Sequence, residues 1–260
     1  MQLLRRNLAT RHLPLVMACC LWIARPAAAA VSSINPTADA FLSKTNGDTN
    51  YGAAGSLAIS NSNAGKGEFQ SVIWFSFSSV KSSFDSAFQP GSWTVQSVVL
   101  QLTNANPQPN ALFNNPNVSG TFGISLMNGP NGNAWIEGTG TPAATTTDGI
   151  TSNTLSNFIS GSDVSLGTFS YAAANLGNVT YTFSLPAAFV SNITSGSTVS
   201  VRMFAADAVE TSLLNSQNFT TPASRPLLTV TAVPEPATLG FLTIASGFCL
   251  SVGAGDEGSL

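Results

Sequence analysis

The sequence predicts an all-β body, a sandwich or barrel of many short strands, set between two terminal segments of different character. Three observations carry this. Apolar and polar residues alternate with period two in several runs, as at Asn178–Leu185, which places Val179, Tyr181, Phe183 and Leu185 on one face. Clusters of Asn, Gly, Pro and Ser separate the runs, notably at Asn104–Asn117 and Gly138–Asn153. Neither a fixed-period repeat nor a heptad pattern competes with that reading.

In chain order the first expected strands are Ala38–Ser43 and Ser56–Ser60. Phe69–Phe77 is more continuously apolar, as a central strand covered on both faces should be. In Trp93–Thr103, Val98, Leu100 and Leu102 share a face, and Thr121–Met127 and Val164–Tyr171 follow. After Asn178–Leu185, Thr198–Ala205 sets Val199, Val201, Met203 and Ala205 together, and Arg225–Thr231 closes the series. Short helical turns are expected at Ser79–Phe88, Leu155–Ser160 and Pro186–Ile193. Many short strands with such spacers point to a sandwich or barrel.

The composition excludes several chemistries. The only histidine, His12, and all three cysteines, Cys19, Cys20 and Cys249, lie in the terminal segments. The body between them holds no imidazole base and no thiol, so Ser-His-Asp and Cys-His nucleophile systems cannot be built there. Zinc or copper sites of the usual nitrogen and sulfur type are excluded with them, as are disulfides. From Val31 to Ala232 there are five basic side chains against nine acidic ones. That balance gives no electrostatic source for nucleic-acid binding.

The N-terminal segment, residues 1–30, reads as a secretory signal peptide. Arg5, Arg6 and Arg11 precede the apolar stretch Leu13–Ile23, and Ala27 to Ala30 supply the small residues of a cleavage site. At the other end, residues 233–260, Val233, Pro234, Glu235 and Pro236 lead into an apolar run from Ala237 to Ala254. Its eighteen residues are at the lower edge of what crosses a hydrocarbon core of roughly 30 Å. This arrangement resembles the PEP-CTERM sorting signal of Gram-negative bacteria that make extracellular polysaccharide. The resemblance implies an exosortase-type processing enzyme as partner and transient membrane association through the C-terminal segment. It also implies a destination in the outer cell envelope or extracellular matrix. The basic tail of that family is replaced here by Gly255-Asp256-Glu257-Gly258.

The body, residues 31–232, resembles the DNRLRE-type domain of secreted microbial proteins. Asp39-Ala40-Phe41 with Asn50-Tyr51-Gly52 fits its opening strand and turn, and Phe69–Phe77 and Val95–Leu102 fit the next strands. Trp135-Ile136-Glu137-Gly138 fits its Trp-x-Glu element, and Ser224–Val230 its closing Arg-Pro strand. The resemblance implies a jelly-roll-like antiparallel β-sandwich and kinship with carbohydrate-binding modules. Ser152 stands where related chains often carry Trp, which removes one aromatic platform.

Two sets of candidate site residues follow. Trp135 and Glu137 are two apart, so on a strand they share a face and can line one sugar-binding groove. The competing reading makes Trp135 a core residue and pairs Glu137 with Arg202 or Arg225. Asp39, Asp48 and Asn50 place hard oxygens around a Gly-rich loop, the donor type calcium prefers, although Asn and Asp are also common turn formers. No other cofactor is expected. The sequence thus points to a non-catalytic exported surface or matrix protein with affinity for extracellular polysaccharide. A purely structural adhesin module is one alternative. Another is a hydrolase or lyase using two carboxylates, with Glu137 beside Asp148 or Asp207.

Overall fold

The computed structural model describes residues 28–65, 67–105, 118–173 and 177–235, an antiparallel β-sandwich of two sheets with two short helices. The strands are β1 (Ala30–Ile34), β2 (Ala38–Ser43), β3 (Ser56–Ser60), β4 (Phe69–Ser76), β5 (Trp93–Thr103) and β6 (Gly120–Leu126). They continue with β7 (Val164–Tyr171), β8 (Asn178–Thr182), β9 (Thr198–Ala205), β10 (Thr211–Asn215) and β11 (Leu227–Pro234). The helices are α1 (Ser78–Phe88) and α2 (Ala187–Ser195). One sheet has the order β1-β11-β5-β8. The other runs β10-β3-β4-β9-β6-β7, with β2 also paired to β4.

The main core lies between the sheets. Val98, Leu100, Leu228 and Val230 from the smaller sheet meet Ile73, Phe75, Val201 and Met203 from the larger, all buried. The alternation read from the sequence is what delivers these side chains to one face. Strand β4 is covered on its other face as well. There Val72 and Trp74 join Ala38, Ala40, Leu42, Met127, Trp135, Ile150 and Leu155 in a second apolar cluster. Residues after β6 fold back over the larger sheet to form that layer. The continuous hydrophobicity of β4 therefore has the cause expected of it.

The two helices pack against each other and add side chains to the main core. In α1 the i, i+4 pair Val80 and Phe84 is buried, and Phe84 lies against Trp93 with ring centroids 5.0 Å apart. Asp85 receives the Trp93 indole N–H at 2.9 Å and pairs with Lys81, which lies one turn earlier on the same helix. Gln89, at φ 77°, breaks the helix just before Pro90-Gly91. Gly196, at φ 73°, ends α2 with its N–H on the Asn192 and Ile193 carbonyls, a conformation glycine adopts without steric cost.

The chain's first and last described strands pair with each other, Ala30 opposite Ala232 and Ile34 opposite Leu228. Beyond Ala232, β11 continues along β5 through Val233 opposite Thr94 and Pro234 opposite Trp93. The Glu235 N–H then donates to the Ser92 carbonyl at 3.0 Å. Three residues of the Val-Pro-Glu-Pro element thus extend the sheet, past the boundary at Ala232 read from the sequence. Pro236, the apolar run after it and the basic and apolar parts of the N-terminal segment lie outside the described residues. Among the described residues no helix is long and apolar enough to cross a membrane.

Replacing Phe75 by Ala should lower stability by about 3–5 kcal/mol, as for other buried aromatics. Replacing exposed Val31 by Ser should change it by less than about 0.5 kcal/mol. Urea midpoints of the two variants check the contrast; similar midpoints would contradict the placement of the core.

Candidate functional site

Residues 134–138 form no strand, yet side chains still alternate: Trp135 and Glu137 point inward while Ile136 is 67% exposed. Trp135 lies in the second cluster at 2% exposure, 5.7 Å from the Trp74 ring centroid. Its indole N–H donates to Ser200 Oγ at 2.8 Å, and that hydroxyl donates in turn to Asn133 Oδ1. With its ring packed and its one donor satisfied, Trp135 leaves only 2% of its surface exposed, in the wall of a cleft it shares with Ile136, Asp148 and Phe158. The structure gives it the core role.

Glu137 pairs with neither Arg202 nor Arg225. Its Oε1 accepts from the Asp39 backbone N–H at 3.1 Å, from Gln217 Nε2 at 2.5 Å and from Asn218 Nδ2 at 3.0 Å. Arg225 Nε donates instead to the Phe219 carbonyl. Asp39, fully buried beside Glu137, accepts the Gln217 N–H on Oδ2 at 2.6 Å, and its Oδ1 has no partner. Four chain segments meet at this polar knot, and the meeting is tight. A Cβ added at Gly52 would lie 2.1 Å from the Glu137 carbonyl oxygen, so only glycine lets the two backbones approach.

The three residues proposed for calcium each bond different partners. Asn50 is buried, with Nδ2 donating to the carbonyls of Glu137 and Ile150 and Oδ1 accepting the N–H groups of Gly52 and Gly140. Asp48 is exposed and accepts from Asn153 Nδ2 at 2.8 Å. Asp39 faces Glu137 and Gln217 instead. Among the described residues no group of three or more acidic, histidine or cysteine side chains is placed to hold a metal. The spacing in sequence was legible, but the turn chemistry of Asn50 took its oxygen for the backbone.

The carboxylates named for hydrolysis are similarly engaged. Asp148 accepts from the Thr139 N–H, the Thr139 hydroxyl and the Thr146 hydroxyl, and those bonds hold its carboxyl down at about 2. An acid that strong is a poor proton donor near neutrality. Asp207 Oδ1 accepts the N–H groups of Val209 and Glu210, capping its own turn. Glu210, buried behind that turn, takes the Ser212 hydroxyl on Oε1 at 2.6 Å and leaves Oε2 unpartnered.

A different place on the larger sheet has an open cleft of about 270 Å³, with unpartnered but buried side-chain atoms in the residues that wall it. Arg202 and Phe204 on β9 stand opposite Val72 and Gln70 on β4. Both face away from the main core, because Val201 and Met203 take the inward positions. The Arg202 guanidinium carbon lies 4.7 Å from the Phe204 ring centroid, and Nε has no partner. Burial pulls the Arg202 pKa below its ordinary value. Gln70 donates Nε2 to Glu68 at 2.8 Å, while its Oε1 is unpartnered. Asn61 and Ser62 complete the rim. The sequence held one signal of this site, an arginine out of phase with the apolar residues of its strand.

No protein-family model matches the chain, and no curated protein matches it significantly. Fold and geometry stand on the sequence and structure alone.

The polar knot sets a pH dependence. Burial first, and then the neighbouring Glu137 carboxyl, push Asp39 from 3.8 up to about 8, so the folded state holds a proton that the unfolded chain releases. Its contribution to stability is complete below pH 3.8 and is lost as pH rises through about 8. Glu210, pushed up to about 7 mainly by burial, acts with the same sign over a lower window. The melting temperature should therefore fall from pH 4 towards pH 8, and Asp39→Asn should flatten the part above pH 7 in particular. A wild-type profile already flat between pH 7 and 8 would contradict the assignment.

Proposed function

We propose that this chain is a non-catalytic exported protein of the outer cell envelope or extracellular matrix, with affinity for extracellular polysaccharide. The observation that carries the export reading is the pairing of β1 with β11, Ala30 opposite Ala232. The described body is closed by its own first and last strands; the signal-like segment precedes the one, and the PEP-CTERM-like element begins within the other, at Val233. Both attach at the same end of the same sheet. Among the described residues the main core draws on side chains from Ala30 to Ala232, as a cargo set between two detachable sorting segments requires.

The two-sheet architecture is compatible with the jelly-roll-like, DNRLRE-type module that the motifs resemble, and relatives of that module bind carbohydrate. The body's lack of histidine and cysteine supports a role without nucleophilic catalysis. So does the engagement of Asp148 and Asp207 in their own turns. The acidic balance disfavours nucleic acid as a partner. An exosortase-type enzyme is the proposed processing partner, acting on the segment that begins at Val233, Pro234, Glu235 and Pro236.

Cell fractionation with mass analysis of both termini tests the reading. The expected product lies outside the inner membrane, begins near Val31 and has lost the apolar run after Pro236. An intact chain of 260 residues in the cytosol would overturn it.

A further inference from the structure

We propose that Glu210 is a proton-controlled latch: its neutral carboxyl holds the β9–β10 turn against one end of the sandwich, and its ionisation frees that turn. The turn comprises residues 206–210 and carries Val209, which is 56% exposed.

Most of the turn faces solvent, yet Glu210 at its end is fully buried. Its Oε1 accepts the Ser212 hydroxyl at 2.6 Å. Its Oε2 lies against Gly120 on β6, where a Cβ would be 2.6 Å away, so only glycine leaves the carboxyl that room. Gly120 stands opposite Tyr171 on β7. The Tyr171 hydroxyl and Glu210 Oε2 are both buried without a partner. A neutral carboxyl can occupy such a place. A carboxylate taken out of water with one oxygen unbonded and no cation beside it is strongly disfavoured.

The titratable groups coupled to Glu210 come from three elements: Asp207 from its own turn, Tyr171 from β7 and Tyr181 from β8. Each is an acid, and among the described residues no lysine or arginine acts on Glu210 to offset a negative charge. Burial is the main reason its pKa rises from 4.5 to about 7; the Ser212 hydroxyl opposes that rise and Asp207 adds to it. Few bonds fasten the turn to its neighbours. The Ala206 N–H donates to the Thr121 carbonyl at 2.7 Å, the Asn61 N–H to the Glu210 carbonyl at 3.1 Å, and Asp207 bonds Thr121. Moving so short a segment outward is the simplest way to return the carboxylate to water.

The closed turn binds a proton that the open turn releases. Its advantage is therefore complete below pH 4.5 and is lost as pH rises through about 7. Opening gives the carboxylate water and lets water reach the Tyr171 and Tyr181 hydroxyls. It leaves β4 and the strands beside it in place, because the core side chains Ile73, Phe75, Val201 and Met203 belong to other segments.

Hydrogen exchange of the full chain between pH 5 and pH 7, corrected for the intrinsic pH dependence of exchange, tests this. Protection of the peptide covering 206–212 should fall at least about tenfold more than that of a β4 peptide. Glu210→Gln, which cannot ionise, should keep its protection across the range. Ser212→Ala removes a bond that favours the charged form, so it should move the step to higher pH; it keeps the test open should Glu210→Gln fail to fold. Asp39→Asn should leave the step where it is. Equal protection of 206–212 at both pH values in wild type would overturn the latch. So would a step that survives Glu210→Gln, one that Ser212→Ala leaves unmoved, or one that Asp39→Asn abolishes.

Discussion

Strand β4 is buried on both faces, and the rest of the molecule is organised by that constraint. Its inward side chains, Ile73 and Phe75, hold the two sheets together, while Val72 and Trp74 on the reverse side hold the layer that contains Trp135, Ile150 and Leu155. One strand therefore belongs to two apolar cores. With no disulfide available within the body, its stability rests on this double burial. At about 25 cal/mol per Å² of apolar surface buried, two cores sharing a strand stabilise more than one sheet interface could.

The same arrangement decides where a site can be. Covering the outer face of the larger sheet with residues 127–159 packs Trp135 into the second core and turns Glu137 inward to Asp39, Gln217 and Asn218. That polar knot ties four segments together at the cost of a buried carboxyl whose pKa burial raises. Further along the same face the covering layer stops, and Arg202, Phe204 and Gln70 line a cleft open to solvent. The fold thus buries one candidate pair and presents another group that sequence spacing did not single out.

Much of the strand order was legible because period-two alternation reports a half-buried sheet directly. β5, β7 and β9 lie within the bounds that pattern gives them, and β2 and β3, buried at every position, lie within the bounds of short runs set off by turn residues. Two strands were not legible. β10, Thr211-Ser212-Leu213-Leu214-Asn215, sets its two leucines side by side and so shows no alternation to detect. β1 begins at Ala30, inside an alanine run that reads as a cleavage region. The helical turns at α1 and α2 were visible through Val80 and Phe84 and through Phe189 and Ile193, spaced one turn apart. At the candidate site the inward alternation of Trp135 and Glu137 was legible. Which side of the sheet would be covered was not, because that depends on where a long loop folds back. Arg202 was visible as a charge out of phase in its strand, but only the structure shows that no carboxylate pairs with it among the described residues.

Hydrogen exchange of the full chain in increasing sub-denaturing urea tests the shared-strand account most directly. The account predicts that peptides from β4 and β9 and the peptide spanning 134–159 lose protection in one common step, since Val72 and Trp74 bind the covering layer to the central strand. Loss of protection in 134–159 well before β4, with the main core still intact, would contradict it.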